Sequence, residues 1–223
     1  MAEPIGGDGD LTAKARVRNA ALELFGEQGE QRVSLRKVAS HAGVTLGLVQ
    51  HHYKTKDGLR EAVEQLVVDY FARAIASVPD DCADAPRDGA RGAHVRRGGP
   101  VASAGTGARV AAARDDAVRA MLRDNPLIVD YVRRDALDPA SGGGLLRRLT
   151  ELTAREVAHA RSAGLASTQR PESAQVVAVM VRQLGELLLA PMVQVMWEQL
   201  GERDETRKPT VRVAVEDRSG DWT

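Results

Sequence analysis

The sequence predicts an all-α fold, on three observations. Apolar residues recur at three- and four-residue spacing through most of the 223-residue chain, the period of one helix face. Glycines or prolines at 29, 43, 79, 126, 139 and 171 fall at the ends of those stretches, where helices stop or start. The one clear alternation of the strand kind, Val211, Val213 and Val215, is confined to a polar tail that is expected to fray.

Residues 12–28 open the helical pattern. Thr12 is the expected N-cap, Val17, Ala20, Ala21, Leu24 and Phe25 share one stripe, and Gly29 can end the helix in a left-handed cap. Ser34 offers a second N-cap, and Leu35, Val38, Ala39 and Ala42 repeat the spacing until Gly43. A very short helix, Leu46 to His52, follows after a tight turn. Lys56 and Asp57 then open a long helix to about Ser77, with Leu59, Val63, Leu66, Val67 and Phe71 on one face and Pro79 beyond its end.

Residues 80–107 differ. They hold six glycines, two prolines and almost no large apolar side chain, too little to offset the entropy of ordering. A flexible segment is expected there, with helix resuming from about Gly107. Val110 to Arg123 is alanine-rich. Pro126 starts a helix carrying Leu127, Ile128, Tyr131 and Val132, and residues 139–144 break the chain. Leu145, Leu146, Leu149, Leu152 and Val157 mark a helix to about Ser162. The last long helix starts at Pro171 and carries Val176, Met180, Leu184, Leu187, Leu188, Met192, Val195 and Met196, with Pro191 expected to kink or split it. The organisation read from this is a disordered tail (1–11), a three-helix head (12–57), a connecting helix (about 56–77), the glycine-rich segment (80–107), a second helical domain (108–201) and a polar tail (202–223).

Composition narrows the function classes. Basic and acidic residues number 31 each, so the chain as a whole is no non-specific polyanion binder, and any nucleic-acid footprint must be local. The single cysteine, Cys82, allows no internal disulfide and points to the cytoplasm. No apolar run is expected to span a bilayer, and the acidic, glycine-rich start MAEPIGGDGD is not a signal peptide.

The informative stretch is GVTLGLVQHHYKTKDGL, from Gly43 to Leu59. Two short helices joined through Gly43 make a helix-turn-helix if the second crosses the first. Val44, Val49 and Tyr53 can face inward. Thr45, Leu46, Gly47, Leu48, Gln50, His51 and His52 then point outward or flank. Glutamine can bond adenine N6 and N7, threonine can meet a phosphate or a thymine methyl, and Gly47 permits close backbone approach. Lys54 and Lys56 follow at the next helix start, where phosphate is favoured. Between Asp10 and Arg60, nine basic residues oppose five acidic ones, so this stretch carries +4 in a neutral chain. The candidate DNA-contacting set is Ser34, Arg36, Thr45, Leu46, Gly47, Gln50, His51, His52, Tyr53, Lys54 and Lys56.

The run RVRNAALELFGEQG, continued by SLRKVASHAGVTLGLVQHHYKTKDGLREAV, resembles the N-terminal domain of the TetR family of transcriptional regulators. The spacing from Phe25 through Gly29, Ser34, Val38, Gly43, Gly47, Tyr53, Lys56 and Leu59 follows that family's pattern without a gap. The resemblance implies an N-terminal helix-turn-helix DNA-binding domain, a C-terminal helical effector-binding and dimerisation domain, a homodimer on double-stranded operator DNA, and repression relieved by a small molecule. Three departures stand out. Gln50 occupies a usual aromatic position, with altered base or phosphate contacts expected. Glu30 occupies another, with looser packing of the first two helices expected. The segment 80–107 is long and poor in apolar residues.

Other chemistries fare worse. His51 and His52 point about 100° apart on a helix and His41 lies on the preceding one, so a metal site is not expected. No catalytic motif is present, Cys82 sits among acids that disfavour its thiolate, and no cofactor is implied. Met121, Tyr131, Met180 and Trp197 are candidate effector contacts, although such residues at helical spacing are more often core. The broad apolar face of 172–198 exceeds what one core contact uses and suits pairing with a second copy. An activator using the same head, or a ligand-binding or enzymatic helical protein that kept it, are the competing readings.

Overall fold

The computed structural model describes residues 13–81, 104–138, 142–201, 208–213 and 215. Among them run eight α-helices and one short 3-10 turn (Glu30–Arg32). The helices are α1 (Ala13–Gln28), α2 (Leu35–His41), α3 (Leu46–Tyr53), α4 (Lys56–Ala76), α5 (Ala104–Asp124), α6 (Pro126–Leu137), α7 (Gly144–Ser162) and α8 (Glu172–Gln199). The all-α prediction therefore holds. The expected tail 1–11, Thr12, Cys82 and most of 80–107 and 202–223 lie outside the described residues.

The chain forms two compact units, which cut across the sequence-based division. The first gathers the residues up to Ala72 with Ala120–Leu149, so α6 belongs with the helix-turn-helix helices. Its core is Val17, Leu24, Phe25, Val38, Val49, Leu59, Val63, Ile128, Tyr131 and Val132, all nearly water-free. Gly26 makes the α1–α6 approach possible, because a Cβ there would lie 3.2 Å from the Tyr131 backbone nitrogen. Arg134 fixes that approach. Its Nε donates to Gly26 O at 2.7 Å and its Nη2 to Glu27 O at 2.8 Å, closing the C-terminal end of α1 with a cation.

Glu64 of α4 is a fully buried carboxylate in this unit. Arg60 Nη1 donates to its Oε1 at 2.6 Å and Arg148 Nε of α7 to its Oε2 at 3.0 Å. Glu30 joins the group through Arg60 at 3.5 Å. Glu30, where looser packing of the first two helices was expected, carries an ion pair to α4. Burial nevertheless raises the Glu30 carboxyl above its ordinary pKa, with Arg60 opposing.

The second unit comprises Arg73–Arg119 and the residues from Thr150 onward. Val110, Val118, Leu152, Val157, Val176, Met180 and Leu187 are its buried apolar residues. Helix α5 starts at Ala104, earlier than the composition suggested. Gly107 lies inside it because a Cβ there would fall 1.9 Å from Leu165 O. Asp80 accepts from Arg114 at 2.7 Å and pairs with His159 at 2.9 Å. Arg182 and Glu186 of α8 are tied to α5, to Asp115 at 2.8 Å and Arg119 at 3.1 Å.

Helix α8 corrects two expectations. It is not split at Pro191, which lies inside the 28-residue helix. It is also long and apolar enough, by length and composition, to cross a membrane, with a window hydropathy of 1.7. The ion-paired Arg182 and Glu186 obscured that signal in the sequence. The tail beyond it is not frayed where described. Val213 sits in the notch at Gly185, where a Cβ would meet Val213 Cγ2 at 2.8 Å.

Candidate nucleic-acid interface

Helices α2 and α3 are capped as their sequences direct. Ser34 Oγ accepts from Lys37 N at 3.2 Å, and Thr45 Oγ1 accepts from Leu48 N at 3.3 Å. Between them, Gly43 adopts φ +64. Gly43 N donates to Ser40 O at 3.2 Å and Val44 N to Ala39 O at 3.0 Å, which together close α2 in a Schellman motif. The turn is short because glycine alone takes that conformation without strain.

Val49 and Tyr53 are the buried anchors of α3. Tyr53 was expected both as anchor and as DNA contact, and the structure gives it the first role. Its hydroxyl donates to Lys14 O at 2.6 Å, holding the end of α3 against the start of α1. Burial pushes that hydroxyl's pKa upward. Thr45, Gly47, Gln50 and His51 are exposed, while Leu46, Leu48 and His52 are half-buried at the flanks. Rings of His51 and His52 meet edge-on, 5.4 Å apart. Ser34 and Arg36 lie exposed at the start of α2.

The α3–α4 joint is strained. Lys54 takes φ +61 and ψ −59, and Thr55 N reaches back to Tyr53 O at 2.6 Å, a γ-turn of the uncommon positive-φ kind. Gly58 is required beside it, because a Cβ there would fall 2.4 Å from Tyr53 O. Thr55 Oγ1 accepts from Gly58 N at 3.0 Å and caps α4. Lys54 is thereby exposed on the joint, and half-buried Lys56 lies at the first position of α4. His41 is not part of this surface and pairs with Glu23 at 2.9 Å.

Among the described residues no group of three metal-ligating side chains is present. Of the candidate effector contacts, Tyr131 belongs to the α1–α6 core and is corrected to a packing residue. Met121 is half-buried in the first unit, and its carbonyl accepts from Asn125 Nδ2 at 2.7 Å. Met180 and Trp197 lie in the second unit. Met180 is buried, and its sulfur accepts from the Thr153 hydroxyl at 3.2 Å. Sequence reasoning missed Arg16, whose Nη2 donates to Ala42 O at 2.7 Å and Gly43 O at 3.0 Å, and the buried Glu64 group. Neither has a local signal, since each depends on residues far apart in the chain.

A capped, exposed helix held across a second one through a glycine turn, in a basic stretch, is a helix-turn-helix DNA-binding domain. Residues 17–63 match the family of bacterial regulatory proteins, tetR family, so the head is similar to the DNA-binding domain of those regulators. The chain is 50% identical over 60 residues to the HTH-type transcriptional regulatory protein RaaS of Mycobacterium tuberculosis, covering 27% of this chain and 28% of that one. It is 29% identical over 68 residues to an HTH-type transcriptional regulator of Staphylococcus aureus, covering 30% and 37%. The match thus spans about a third of these relatives. A crystal structure of a tetR family transcription regulator from Shewanella sp. PV-4 shares the fold at a TM-score of 0.60 and 19% identity, over 86% of this chain and 92% of that one.

Proposed function

We propose that the protein is a cytoplasmic repressor that binds a near-palindromic operator as a homodimer and is released by a small effector. The observation that carries the DNA reading is the exposed set Thr45, Gly47, Gln50 and His51 on a helix whose rear is locked by Val49 and Tyr53. Gln50 reads a base edge, and Lys54 and Lys56 hold phosphates. Homodimer formation is supported by the exposed apolar residues of α8, Val177, Val181, Leu189, Met192, Val195 and Met196, which no described part of the chain covers well. The ion pairs of Arg182 and Glu186 with α5 favour a protein partner for this helix over a membrane. Two heads would dock about 34–36 Å apart in successive major grooves.

Effector binding is assigned to the second unit, with Met180 and Trp197 as the contacts. Trp197 Nε1 is buried without a hydrogen-bond partner among the described residues, and a ligand acceptor would satisfy it. No catalytic step and no cofactor belong to this reading. Selection of bound duplexes from a random library, repeated with candidate effectors, tests it. An operator must emerge and be released by one of them. Lys56→Ala should weaken binding to every duplex and reduce the salt slope by about one. Gln50→Ala should relax preference at one base pair. A library that yields no preferred sequence would refute the DNA reading, and falling expression of adjacent genes in a deletion strain would favour activation over repression.

A further inference from the structure

The Schellman closure of α2 uses the N–H groups of Gly43 and Val44, and the Ala42 and Gly43 carbonyls both meet one nitrogen of Arg16. That nitrogen bridges them at 2.7 and 3.0 Å from the first turn of α1. The site is the negative end of α2, so the bonds are charge-assisted. Holding two successive carbonyls fixes the peptide planes of the turn, and Thr45, the cap of α3, comes only two residues after Gly43. At the other end of α3, the Tyr53 hydroxyl is held by Lys14 O at 2.6 Å. Residues 14 and 16, two apart in the first turn of α1, therefore brace both ends of the recognition helix.

We propose that Arg16 is a positioning residue for operator recognition, an inference that rests on the DNA-binding reading above. It sets how α3 enters the groove and reads no base or phosphate itself. The rival roles make different predictions. A phosphate ligand strengthens binding to any duplex and contributes to the salt slope. A merely structural cap changes melting but not the ratio of operator to scrambled-duplex affinity in the folded protein. A brace changes that ratio, because base contacts need α3 at one angle whereas phosphate attraction does not.

The test uses the full chain, with an operator recovered by the wild type from a random library and a scrambled duplex of the same length. Affinities are measured across a salt series for the wild type, Arg16→Ala and Arg16→Lys. Arg16→Ala is expected to lose about ten- to a hundredfold in operator affinity, the range of charge-assisted hydrogen bonds, with scrambled-duplex affinity and salt slope kept. Arg16→Lys, which keeps the charge but not the fork, should recover only part of the loss. Amide exchange at Val44 and Leu48 should quicken in both variants, and the operator-to-scrambled ratio should fall at temperatures well below their melting. Equal losses on both duplexes with a slope lowered by about 0.9 would make Arg16 a phosphate ligand and overturn the brace. Unchanged operator affinity, or full recovery with lysine, would overturn it too. A wild type that selects no operator would instead refute the DNA reading, and the brace with it.

Discussion

Glu64 offers the sharpest test of how the head unit is held. Its side chain is 1% exposed, and each oxygen is taken by a different guanidinium, Arg60 at 2.6 Å and Arg148 at 3.0 Å. Gly144 closes over it, with room for no side chain, since a Cβ would come 2.6 Å from Oε1. Glu64→Gln keeps the shape but turns one acceptor into an N–H facing a donor. One charge-assisted bond is lost outright, about 1.5–3 kcal/mol, and the other keeps its cationic donor but loses its anionic acceptor. The two arginines are 21% and 27% exposed and regain some water, which limits the total to about 2–4 kcal/mol. At roughly 2–4 °C per kcal/mol for a chain of this size, the first thermal transition should fall by about 5–15 °C. Calorimetry at neutral pH, in low and in high salt, measures it. Because the pairs are buried, salt should leave most of the drop in place. Melting within a degree or two of wild type, or a drop that vanishes in salt, would refute the buried-pair account.

Three further outcomes are expected. Burial, followed by the neighbouring Glu64 charge and weaker repulsion from Asp138 and Glu30, lifts the Asp135 carboxyl to about 6 against the pull of Arg60. Its charge is therefore unfavourable in the fold, so its contribution to stability declines as pH rises from about 4 through about 6. Asp135→Asn should flatten that slope and gain about 1–2 kcal/mol at pH 7 once partial exposure is discounted, as chemical denaturation across pH would show. Lys54→Gly should raise stability by about 1 kcal/mol by relieving the positive-φ turn, and a lower melting temperature would contradict the strain. Gly107→Ala should cost about 2 kcal/mol or more, because α5 must move off Leu165 O, and an unchanged melting profile would contradict that close approach.

The order of the helices was legible because apolar spacing is a local property, and so were the caps at Ser34 and Thr45 and the turn at Gly43. The reading failed where small or charged residues act at long range. Gly107 looked like the start of a helix, yet it lies inside α5, where Leu165 O leaves no room for a side chain. Pro191 looked like a place to split the last helix, yet the helix continues on both sides of it. Tyr131 looked like a pocket residue, whereas Gly26, 105 positions earlier, brings α1 onto its backbone. Glu64 and Arg60 are i,i+4 neighbours, and nothing near them in sequence announces that Arg148, 84 positions on, joins them in the core.

The same long-range logic explains a compositional oddity. Only five of the 31 basic residues are lysines, and 3% of the chain is aromatic. An aromatic-poor chain has few large plates with which to lock helix junctions. Here arginine forks do part of that work: Arg134 closes α1, Arg16 closes α2, and Arg60 and Arg148 clamp Glu64. A planar guanidinium can bridge two carbonyls or hold one carboxylate oxygen at a fixed angle, which a lysine ammonium does less well. This division of labour bears on DNA binding. Counting charge assigned +4 to residues 10–60, but Arg60 is paired with Glu30 and the buried Glu64, and the exposed Arg16 is held on the two carbonyls at the end of α2. On the elements flanking α3, Arg36 and Lys54 are exposed and Lys56 is half-buried. Variants of those three should dominate the salt dependence, and variants of the internal arginines should instead change which sequence is bound.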